Sequence, residues 1–443
     1  MIVLSGADLV LPDRILTPGT VVIDGGRIVE VRAGTSHGRV SSHAQPVPAL
    51  HGHTIVPGFI DVHVHGVDGI DSLDGADAIG SIAARLPRYG VTAFCPTTVA
   101  CAPVALRRVL EETRRARENQ LPRASRVLPA HLESNFINPE FRGAQPPRCL
   151  RSPRAALPPR DSEGPSGPAI AGRARWSGGA AAGHHGRDGR GEAAASDEFS
   201  AADVLLEIER AAADVGIVTL APELDGGIDL IRWLVARGHR VSLGHSGATY
   251  DEALAAIAAG ARRATHLFNR MPVLDHRAPG LAGAVLQSDE VAAEIICDGF
   301  HVHPALVRTA IAAKRPSRLF AITDGTAASG LPLGSRVSLG GVPITTGEHA
   351  AYLDDGTMAG SVLTMDRAFQ VLAVRIGLSL VDVVTMCATT AARDLGLVGH
   401  GVIAPGAVAD LVILDAQLEI VRTYIDGKVA YSRDTPDTPT RHP

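Results

Sequence analysis

The sequence contains almost no lysine, no long apolar run and no paired cysteine motif. Lys314 and Lys428 are the only lysines, and the other basic side chains are arginine, which we ascribe to GC-rich coding rather than to function. No apolar run approaches the roughly 20 residues that span a bilayer, so no membrane segment is expected. The start, MIVLSGADLVLPD, lacks a basic region followed by an apolar stretch, and no signal peptide is predicted.

Cysteine content and charge narrow the class of protein further. The sequence has five cysteines, an odd number without paired spacing, which predicts reduced thiols and a cytoplasmic location. The formal net charge of −5 argues against a nucleic-acid surface. The 443 residues exceed one average domain, but a (β/α)8 barrel alone takes about 250 residues. A barrel with one small accessory domain is therefore the first expectation.

Both ends of the chain have the pattern of short β-strands. IVLSGADLVLP and TVVIDGGRIVEVRAG alternate apolar and polar residues, and the Asp-Gly-Gly cluster predicts a hairpin. ADLVILDAQLEIVRTYIDGKVAYS repeats this pattern near the other end. We therefore predict one small β-sandwich from residues 1–55 and 396–432, a barrel over 56–395 between them, and a flexible tail over 433–443.

The middle of the chain alternates strand-like and helix-like segments, which is typical of βα units and a parallel sheet. Eight strands are predicted in FIDVHVHG, VTAFCPT, VLPAHLES, VTLAPE, VSLGHS, ATHLFN, AEIICDG and LFAITDG. Eight such units predict an α/β protein with a closed, TIM-like (β/α)8 barrel. Active sites in that fold lie at the carboxyl ends of the strands.

One segment, over residues 148–196, interrupts this alternation. It is dominated by Arg, Ala, Gly, Pro and Ser and has no apolar periodicity, so it is predicted to be a flexible or disordered loop. An out-of-frame reading of GC-rich DNA would give the same residue types, and both interpretations stay open. In either case we expect the segment to contribute nothing to the barrel core.

Histidines and carboxylates lie at the ends of several predicted strands. Taken singly, each has an ordinary structural explanation, such as a satisfied histidine or a turn-capping carboxylate. Because the ends of barrel strands meet at one mouth, their recurrence there favours a metal site, and imidazole with carboxylate suits zinc or a similar ion. The residues are His63, His65, Glu133, His245, His266 and Asp324.

Several motifs carry a family resemblance. PGFIDVHVHG resembles the first-strand signature of the amidohydrolase superfamily. HLES, FINPE, RGA, SLGHSGAT, THLFNRM, HRAPGLAGA, DGFHVHP, ITDGT and GTMAGSVLTM, in that order, are similar to the N-acetylglucosamine-6-phosphate deacetylase family. The resemblance implies that a metal-activated water hydrolyses the acetamide of N-acetyl-D-glucosamine 6-phosphate, in amino-sugar catabolism and cell-wall recycling.

The resemblance also implies roles for the strand-end residues. Glu133, His245 and His266 match the family's ligands of one metal, and the His63–His65 pair matches residues that can help hold a second. One or two divalent ions per subunit are therefore expected, and Zn²⁺ is the favoured metal. Neither lysine ends a predicted strand, which disfavours branches whose metals are bridged by a carboxylated lysine.

Asp324 resembles the catalytic aspartate, which would take a proton from the attacking water and return one to the departing amine. Its structural alternative is a helix N-cap. Substrate contacts carried over from the family are Gln145, Asn269, Arg270, Arg277 and His301. Arg277 is expected to reach into the neighbouring subunit's site, which implies a homodimer.

The sequence also departs from the family pattern at four positions. Ser134 and Asn135 replace Gly-Pro, Gln145 replaces a histidine that polarises the substrate carbonyl, and Arg270 replaces alanine. An amide can still donate a hydrogen bond but cannot carry positive charge. The sequence leaves open an N-acetylgalactosamine-6-phosphate deacetylase, a deaminase, or a non-catalytic scaffold on the same fold, although no metal ligand whose loss would mark such a scaffold is missing.

Overall fold

The computed structural model describes residues 1–35, 49–157 and 198–434. Its central feature is a sheet of eight parallel strands, each paired with the next along the chain. The strands are Phe59–Val64, Val91–Thr98, Ala130–Glu133, Val215–Leu220, Arg240–Leu243, Arg263–Ala264, Ala292–Ile296 and Leu319–Ile322. A short strand, Arg126–Val127, also pairs with the second of them.

The sheet closes where the end of the eighth strand meets the first. The Asp324 N–H donates to the carbonyl of His63 at 3.1 Å, and the Gly325 carbonyl accepts from His65 N–H at 2.8 Å. Nearly every residue of the eight strands is buried, because helices cover the outside and side chains fill the inside. The predicted TIM-like (β/α)8 barrel is confirmed, and all eight predicted strands are present.

Helices connect the strands around the outside. One of them shows why a helix begins where it does: Thr249 accepts from the Glu252 N–H while the Glu252 carboxylate accepts from the Thr249 N–H, a capping box that starts Tyr250–Ala258. The α-helices are Ala78–Arg85, Pro103–Glu118, Pro153–Ala156, Ala201–Arg210, Gly227–Ala236, Tyr250–Ala258, Gly280–Gln287, Pro304–Lys314, Met365–Gln370, Leu380–Val384 and Thr390–Leu395. The π-helical turns Val371–Ile376 and Thr385–Thr389 extend the late ones. The 3-10 turns are Leu86–Tyr89, Pro139–Phe141, Pro147–Cys149, Ala212–Asp214 and Pro316–Arg318.

The two ends of the chain form one further sheet of seven strands. Thr54–Pro57 joins them, because it pairs with Ile2–Val10 on one side and with Leu411–Leu414 on the other. The order across the sheet is Lys428–Ser432, Ile420–Ile425, Leu411–Leu414, Thr54–Pro57, Ile2–Val10, Ile15–Asp24 and Arg27–Ala33. The prediction that both ends build one small β unit is confirmed.

A four-stranded antiparallel sheet follows the eighth barrel strand and was not predicted. Its strands are Arg336–Leu339, Val342–Thr346, Ala350–Tyr352 and Met358–Ser361. They are short, and fewer than half of their residues are buried, so they lack the strong apolar signal that marks a strand in a sequence. Two further short strands, Gly66–Val67 and Ile70–Asp71, pair beside the first barrel strand.

The irregular interval divides into two parts. Residues 158–196 lie outside the described residues, as do 435–443 of the predicted tail. Residues 148–157 are described and pack on the barrel: Cys149 is buried, and its carbonyl accepts from Asn135 Nδ2 at 2.7 Å. The Arg154 N–H donates to the Asp225 carbonyl at 2.9 Å. Residues 148–157 therefore differ from the expectation of a flexible or disordered loop. Tertiary contacts order them, although their sequence has no apolar periodicity.

None of the five cysteines forms a disulfide in the structure, which agrees with the expected reduced thiols. The cytoplasmic location itself stays a prediction. Among the helices in the described ranges, none combines the length and apolarity needed to cross a membrane.

Two deletions test the role of residues 148–157. Replacing 158–196 with a short Gly-Ser linker should leave a protein that unfolds cooperatively near the wild-type temperature. Replacing 148–196 should lower the free energy of unfolding by at least about 1 kcal/mol, because buried Asn135 loses an acceptor. Thermal unfolding followed by circular dichroism measures both, and equal midpoints would show that the packing of 148–157 is unimportant.

Candidate metal centre

The six predicted strand-end residues converge at the mouth of the barrel. His63 lies in the first strand, His65 follows directly after that strand, and the third strand ends at Glu133. The other three lie just beyond the ends of strands five, six and eight. All six side chains are buried, which is costly for ionisable groups unless they bind one another or a ligand. The residues are His63, His65, Glu133, His245, His266 and Asp324.

Glu133, His245 and His266 form the tightest group. Oε1 of Glu133 lies 3.0 Å from Nε2 of His245 and 3.0 Å from Nε2 of His266, and the two nitrogens are 3.0 Å apart. Bonds of about 2.0–2.2 Å to one cation would place ligand atoms roughly 2.8–3.6 Å apart, depending on the angle between the bonds. The donor atoms and their spacing therefore fit a divalent metal ion.

A second group adjoins the first. Nε2 of His63 and Nε2 of His65 lie 3.2 and 3.3 Å from Oδ1 of Asp324, and 3.2 Å from each other. Glu133 lies between the groups, with its carboxylate oxygens 3.5 Å from both of these histidines. Two imidazoles and a carboxylate are again suitable ligands for a divalent ion. The structure thus offers two adjacent cation positions with Glu133 between them.

The backbone at three of these residues is left-handed. His245, His266 and Asp324 have φ values of 48°, 29° and 48°, which side-chain-bearing residues adopt rarely and at a cost of about 1–3 kcal/mol each. Such strain is typical of functional sites that their surroundings hold in place. Asp324 is followed by a β-bridge at Gly325 and not by a helix, so the N-cap interpretation of Asp324 is wrong.

Hydrogen bonds set which ring nitrogen of His245 faces the site. Its Nδ1 lies 2.9 Å from the Phe141 carbonyl, and because a carbonyl oxygen can only accept, Nδ1 carries the proton. In the neutral ring, Nε2 then has a free lone pair directed at Glu133. This is the state in which histidine binds a metal.

The electrostatics keep both carboxylates ionised. Burial by itself raises the pKa of Glu133, but the charges and hydrogen bonds of His245, His266 and His65 hold that pKa well below its ordinary value. Burial likewise raises the pKa of Asp324, and His63 and His65 lower it more. The site therefore presents two negative charges to a cation.

His65 behaves in the opposite way. Burial lowers its pKa, but hydrogen bonds to Asp324 and Glu133 outweigh burial and raise the pKa to about 10. A proton on Nε2 of His65 therefore competes with a metal for that atom, and metal binding there releases the proton.

A cavity of about 290 Å³ opens above these groups. Four of the five predicted substrate contacts, Gln145, Asn269, Arg270 and His301, are among the residues that line it. Arg277 is not: it is exposed, and its backbone N–H donates to Asp275 at 2.8 Å. The unpredicted four-stranded sheet adds apolar lining through Leu339 and Met358, with Gly360 beside them.

Gln145 is held in one orientation. The Ala100 N–H donates to Oε1 of Gln145 at 2.7 Å, so that atom must be the oxygen and the amide nitrogen must point the other way. Nε2 donates to Oε2 of Glu133. Gln145 therefore presents a fixed donor to the metal cluster, at the position where the family resemblance implies an imidazole.

The remaining departures from the family pattern have visible contacts. Ser134 Oγ donates to the Thr219 carbonyl of the fourth strand at 2.5 Å. Asn135 Nδ2 donates to the Cys101 carbonyl, in the loop after the second strand, at 2.8 Å. Arg270 Nη2 donates to the Met358 carbonyl at 3.2 Å. Arg270 thus ties the loop after the sixth strand to the four-stranded sheet while its guanidinium lines the cavity.

His301 has one free ring nitrogen at the cavity. Nδ1 lies 2.5 Å from Oδ2 of Asp298, while Nε2 is buried without a hydrogen-bond partner. The side chain lines the cavity, so Nε2 is available to a polar group of a bound molecule.

Three buried residues behind the cluster were missed from the sequence: His131, Arg263 and Glu294. Burial raises the pKa of Glu294, but neighbouring His131, His63 and Arg263 lower it to about 2. Burial lowers the pKa of His131 to about 3. The sequence did contain a signal for two of them. His131 lies two residues before Glu133, so both side chains lie on the same face of the third strand, and Glu294 interrupts an otherwise apolar strand.

Comparison with known proteins gives consistent results. Residues 54–430 match the model of the amidohydrolase family. The chain is 30% identical over 429 residues to N-acetylglucosamine-6-phosphate deacetylase of Bacillus subtilis, covering 96% of this chain and 95% of the relative. It is also 30% identical over 383 residues to N-acetylgalactosamine-6-phosphate deacetylase of Escherichia coli O157:H7, covering 85% and 87%.

Among solved structures, the fold is similar to that of a variant N-acetyl-D-glucosamine-6-phosphate deacetylase from Mycobacterium smegmatis, in complex with N-acetyl-D-glucosamine-6-phosphate. The TM-score is 0.79 at 29% sequence identity, with 97% of this chain and 99% of that chain covered. A likeness of this extent includes both the barrel and the sheet built from the chain ends.

Replacing Glu133 tests the metal centre. Glu133→Gln should lower the metal content of purified protein several-fold, because the amide removes a negative charge next to four imidazoles. Elemental analysis measures metal per chain. Glu207→Gln is the matched control, since Glu207 is a buried glutamate bound to Arg107 on the outer helices. Unchanged metal content in folded Glu133→Gln would remove Glu133 from the ligand set.

Proposed function

The chain belongs to the amidohydrolase family, and we propose that it removes the acetyl group from N-acetyl-D-glucosamine 6-phosphate, giving D-glucosamine 6-phosphate and acetate. The observation that carries the proposal is the buried cluster of four imidazoles and two carboxylates under a cavity with polar lining. The similarity to deacetylases over nearly the whole chain supports the choice of reaction. The reaction would serve amino-sugar catabolism and cell-wall recycling.

The amidohydrolase family is metal-dependent, and we propose that this chain holds one or two divalent ions, with Zn²⁺ as the favoured metal. Glu133, His245 and His266 would hold one, and His63, His65 and Asp324 would line the second position. A divalent ion bound there would supply a more acidic water and a Lewis acid for the amide carbonyl.

Asp324 is proposed as the proton carrier. Its carboxylate is ionised and lies at the mouth, so it can accept the proton of the water that attacks the acetyl carbon. It can then donate that proton to the amine nitrogen as the C–N bond breaks. We assign to Gln145 the role of donating a hydrogen bond to the reacting carbonyl through the second hydrogen of Nε2, because the Ala100 N–H fixes Oε1 on the opposite side and Glu133 takes the first hydrogen.

The sugar and its phosphate are assigned to the outer part of the cavity. Asn269, Arg270 and His301 provide amide, guanidinium and imidazole donors there, which suits a hydrated dianion. Arg277 lies on an exposed loop outside the cavity. We propose that Arg277 completes the phosphate site of a second subunit, so that the enzyme works as a homodimer.

A second candidate substrate is N-acetylgalactosamine 6-phosphate. The N-acetylgalactosamine-6-phosphate deacetylase of Escherichia coli O157:H7 and the Bacillus subtilis relative are each 30% identical in sequence to this chain. A deaminase and a non-catalytic scaffold both receive less support. A scaffold would be expected to lose metal ligands, and all six cluster residues are present.

Acetate release from a panel of acetylated amino sugars tests the proposed function. We expect the highest kcat/KM for N-acetyl-D-glucosamine 6-phosphate and much lower values for sugars without the phosphate. A higher kcat/KM for N-acetylgalactosamine 6-phosphate would make that epimer the substrate instead. Equal values with and without phosphate would contradict the phosphate requirement.

Replacing Asp324 tests the proton carrier. Asp324→Asn should keep substrate binding but lower kcat by roughly 10²-fold or more, since the amide cannot accept the proton. Steady-state kinetics, with metal content measured on the same preparation, separate loss of turnover from loss of metal. Asp382→Asn, outside the cavity lining, is the control. Near-normal kcat in folded Asp324→Asn would assign the proton transfer to another group.

Replacing Arg277 tests the shared phosphate site. Arg277→Ala should lower kcat/KM for the phosphorylated sugar while leaving any weak activity on N-acetylglucosamine nearly unchanged. Arg232→Ala removes a comparably exposed arginine from an outer helix and should change neither value. Light scattering should show a dimer. A fully active monomer would refute the shared site alone, without refuting the deacetylation.

A further inference from the structure

Below the metal cluster, the barrel interior holds further ionisable side chains that the proposed reaction does not use. His131, Arg263 and Glu294 are fully buried. Burying charged groups costs several kcal/mol each unless their partners compensate well. Their contacts therefore indicate what they do.

Glu294 connects this interior group to the metal cluster. Its Oε2 lies 2.9 Å from Nδ1 of His63, and its Oε1 lies 3.3 Å from Nη2 of Arg263. Arg263 is itself fixed, because Nη1 binds Asp394 at 2.5 Å and the guanidinium lies over the Phe320 ring. Each carboxylate oxygen of Glu294 thus has an assigned partner, and the carboxylate has one defined orientation.

The contact with Glu294 determines the tautomer of His63. A carboxylate oxygen accepts, so Nδ1 of His63 carries the proton. In the neutral ring, Nε2 then has a free lone pair, and it faces His65, Glu133 and Asp324. By contrast, Nδ1 of His65 is buried without a hydrogen-bond partner. Of the two histidines, only His63 is set by the protein as an Nε2 ligand.

His131 is not part of a third metal site, although it lies near His63 and Glu294. Its Nδ1 lies 3.0 Å from the Val62 carbonyl and its Nε2 lies 2.8 Å from Thr219 Oγ1, so both ring nitrogens already have partners. Its Nδ1 is 3.8 Å from Glu294, beyond a hydrogen bond.

We propose that Glu294 is a positioning residue that keeps His63 in the tautomer that binds a metal through Nε2. Through His63, it sets the affinity of the second metal position, formed by His63, His65 and Asp324. The inference rests on the proposed metal centre but not on the identity of the substrate.

The consequence of Glu294→Gln follows from the partners of the two oxygens. Arg263 can only donate, so the amide oxygen should turn towards the guanidinium and the NH2 group towards Nδ1 of His63. The His266 N–H, 3.4 Å from Oε2, favours the opposite orientation, but the contact with the charged guanidinium is stronger. Nδ1 of His63 must then accept, its proton moves to Nε2, and the metal-binding lone pair is lost.

Metal titration tests the proposal. Metal-depleted wild-type and Glu294→Gln proteins are titrated with Co²⁺ by calorimetry, with visible absorption reporting coordination. The wild type should bind two ions. The variant should bind the second about 10- to 100-fold more weakly, the usual effect of losing such a partner, with the first unchanged. Glu207→Gln should bind both as the wild type does. Wild-type affinity at both positions in folded Glu294→Gln, or only one ion bound by the wild type, would overturn the proposal.

Two further variants separate positioning from a general structural role. In a His63→Asn background, Glu294→Gln should cause no further loss of metal affinity, because the effect acts through His63. An equal further loss would overturn the proposal. If Glu294→Gln does not fold, Glu294→Asp serves instead, since it keeps a charge for Arg263 but shortens the reach to His63. Wild-type metal affinity in that variant would also overturn the proposal. Absence of acetate release by the wild type would refute the proposed function and leave this inference standing.

Discussion

The site depends on one buried carboxylate. Oε1 of Glu133 lies 3.0 Å from the Nε2 atoms of His245 and His266, and the same carboxylate lies 3.5 Å from Nε2 of His63 and of His65. Without that charge, the buried imidazoles of His245 and His266 would lose the one carboxylate that contacts both of them, and only Asp324 would remain at the mouth to compensate a proton or a metal.

Barrel closure is what brings this carboxylate and its partners together. Backbone hydrogen bonds from Asp324 to His63, and from His65 to Gly325, join the eighth strand to the first. They also hold Asp324 in its left-handed conformation, opposite the His63–His65 pair. The strain at the site is thus sustained by the sheet that surrounds it.

The barrel and its mouth could be predicted from the sequence because their signals are local. Each buried parallel strand is a short apolar run, and a histidine or carboxylate just after such a run is unusual. The four-stranded sheet lacked this signal, since its strands are short and half-buried. For Glu294 the local signal was its position within an otherwise apolar strand, whereas nothing local distinguishes the buried Arg263 from a surface arginine. The order of residues 148–157 could not be predicted because only distant contacts, such as that of Asn135 with Cys149, hold them in place.

Acetate release from N-acetyl-D-glucosamine 6-phosphate, followed while Zn²⁺ is titrated into metal-depleted protein, tests the metal centre and the deacetylation together. We expect negligible release at the start, followed by an increase that saturates after one or two equivalents per chain. Unchanged acetate release by protein verified to be free of metal would contradict this expectation.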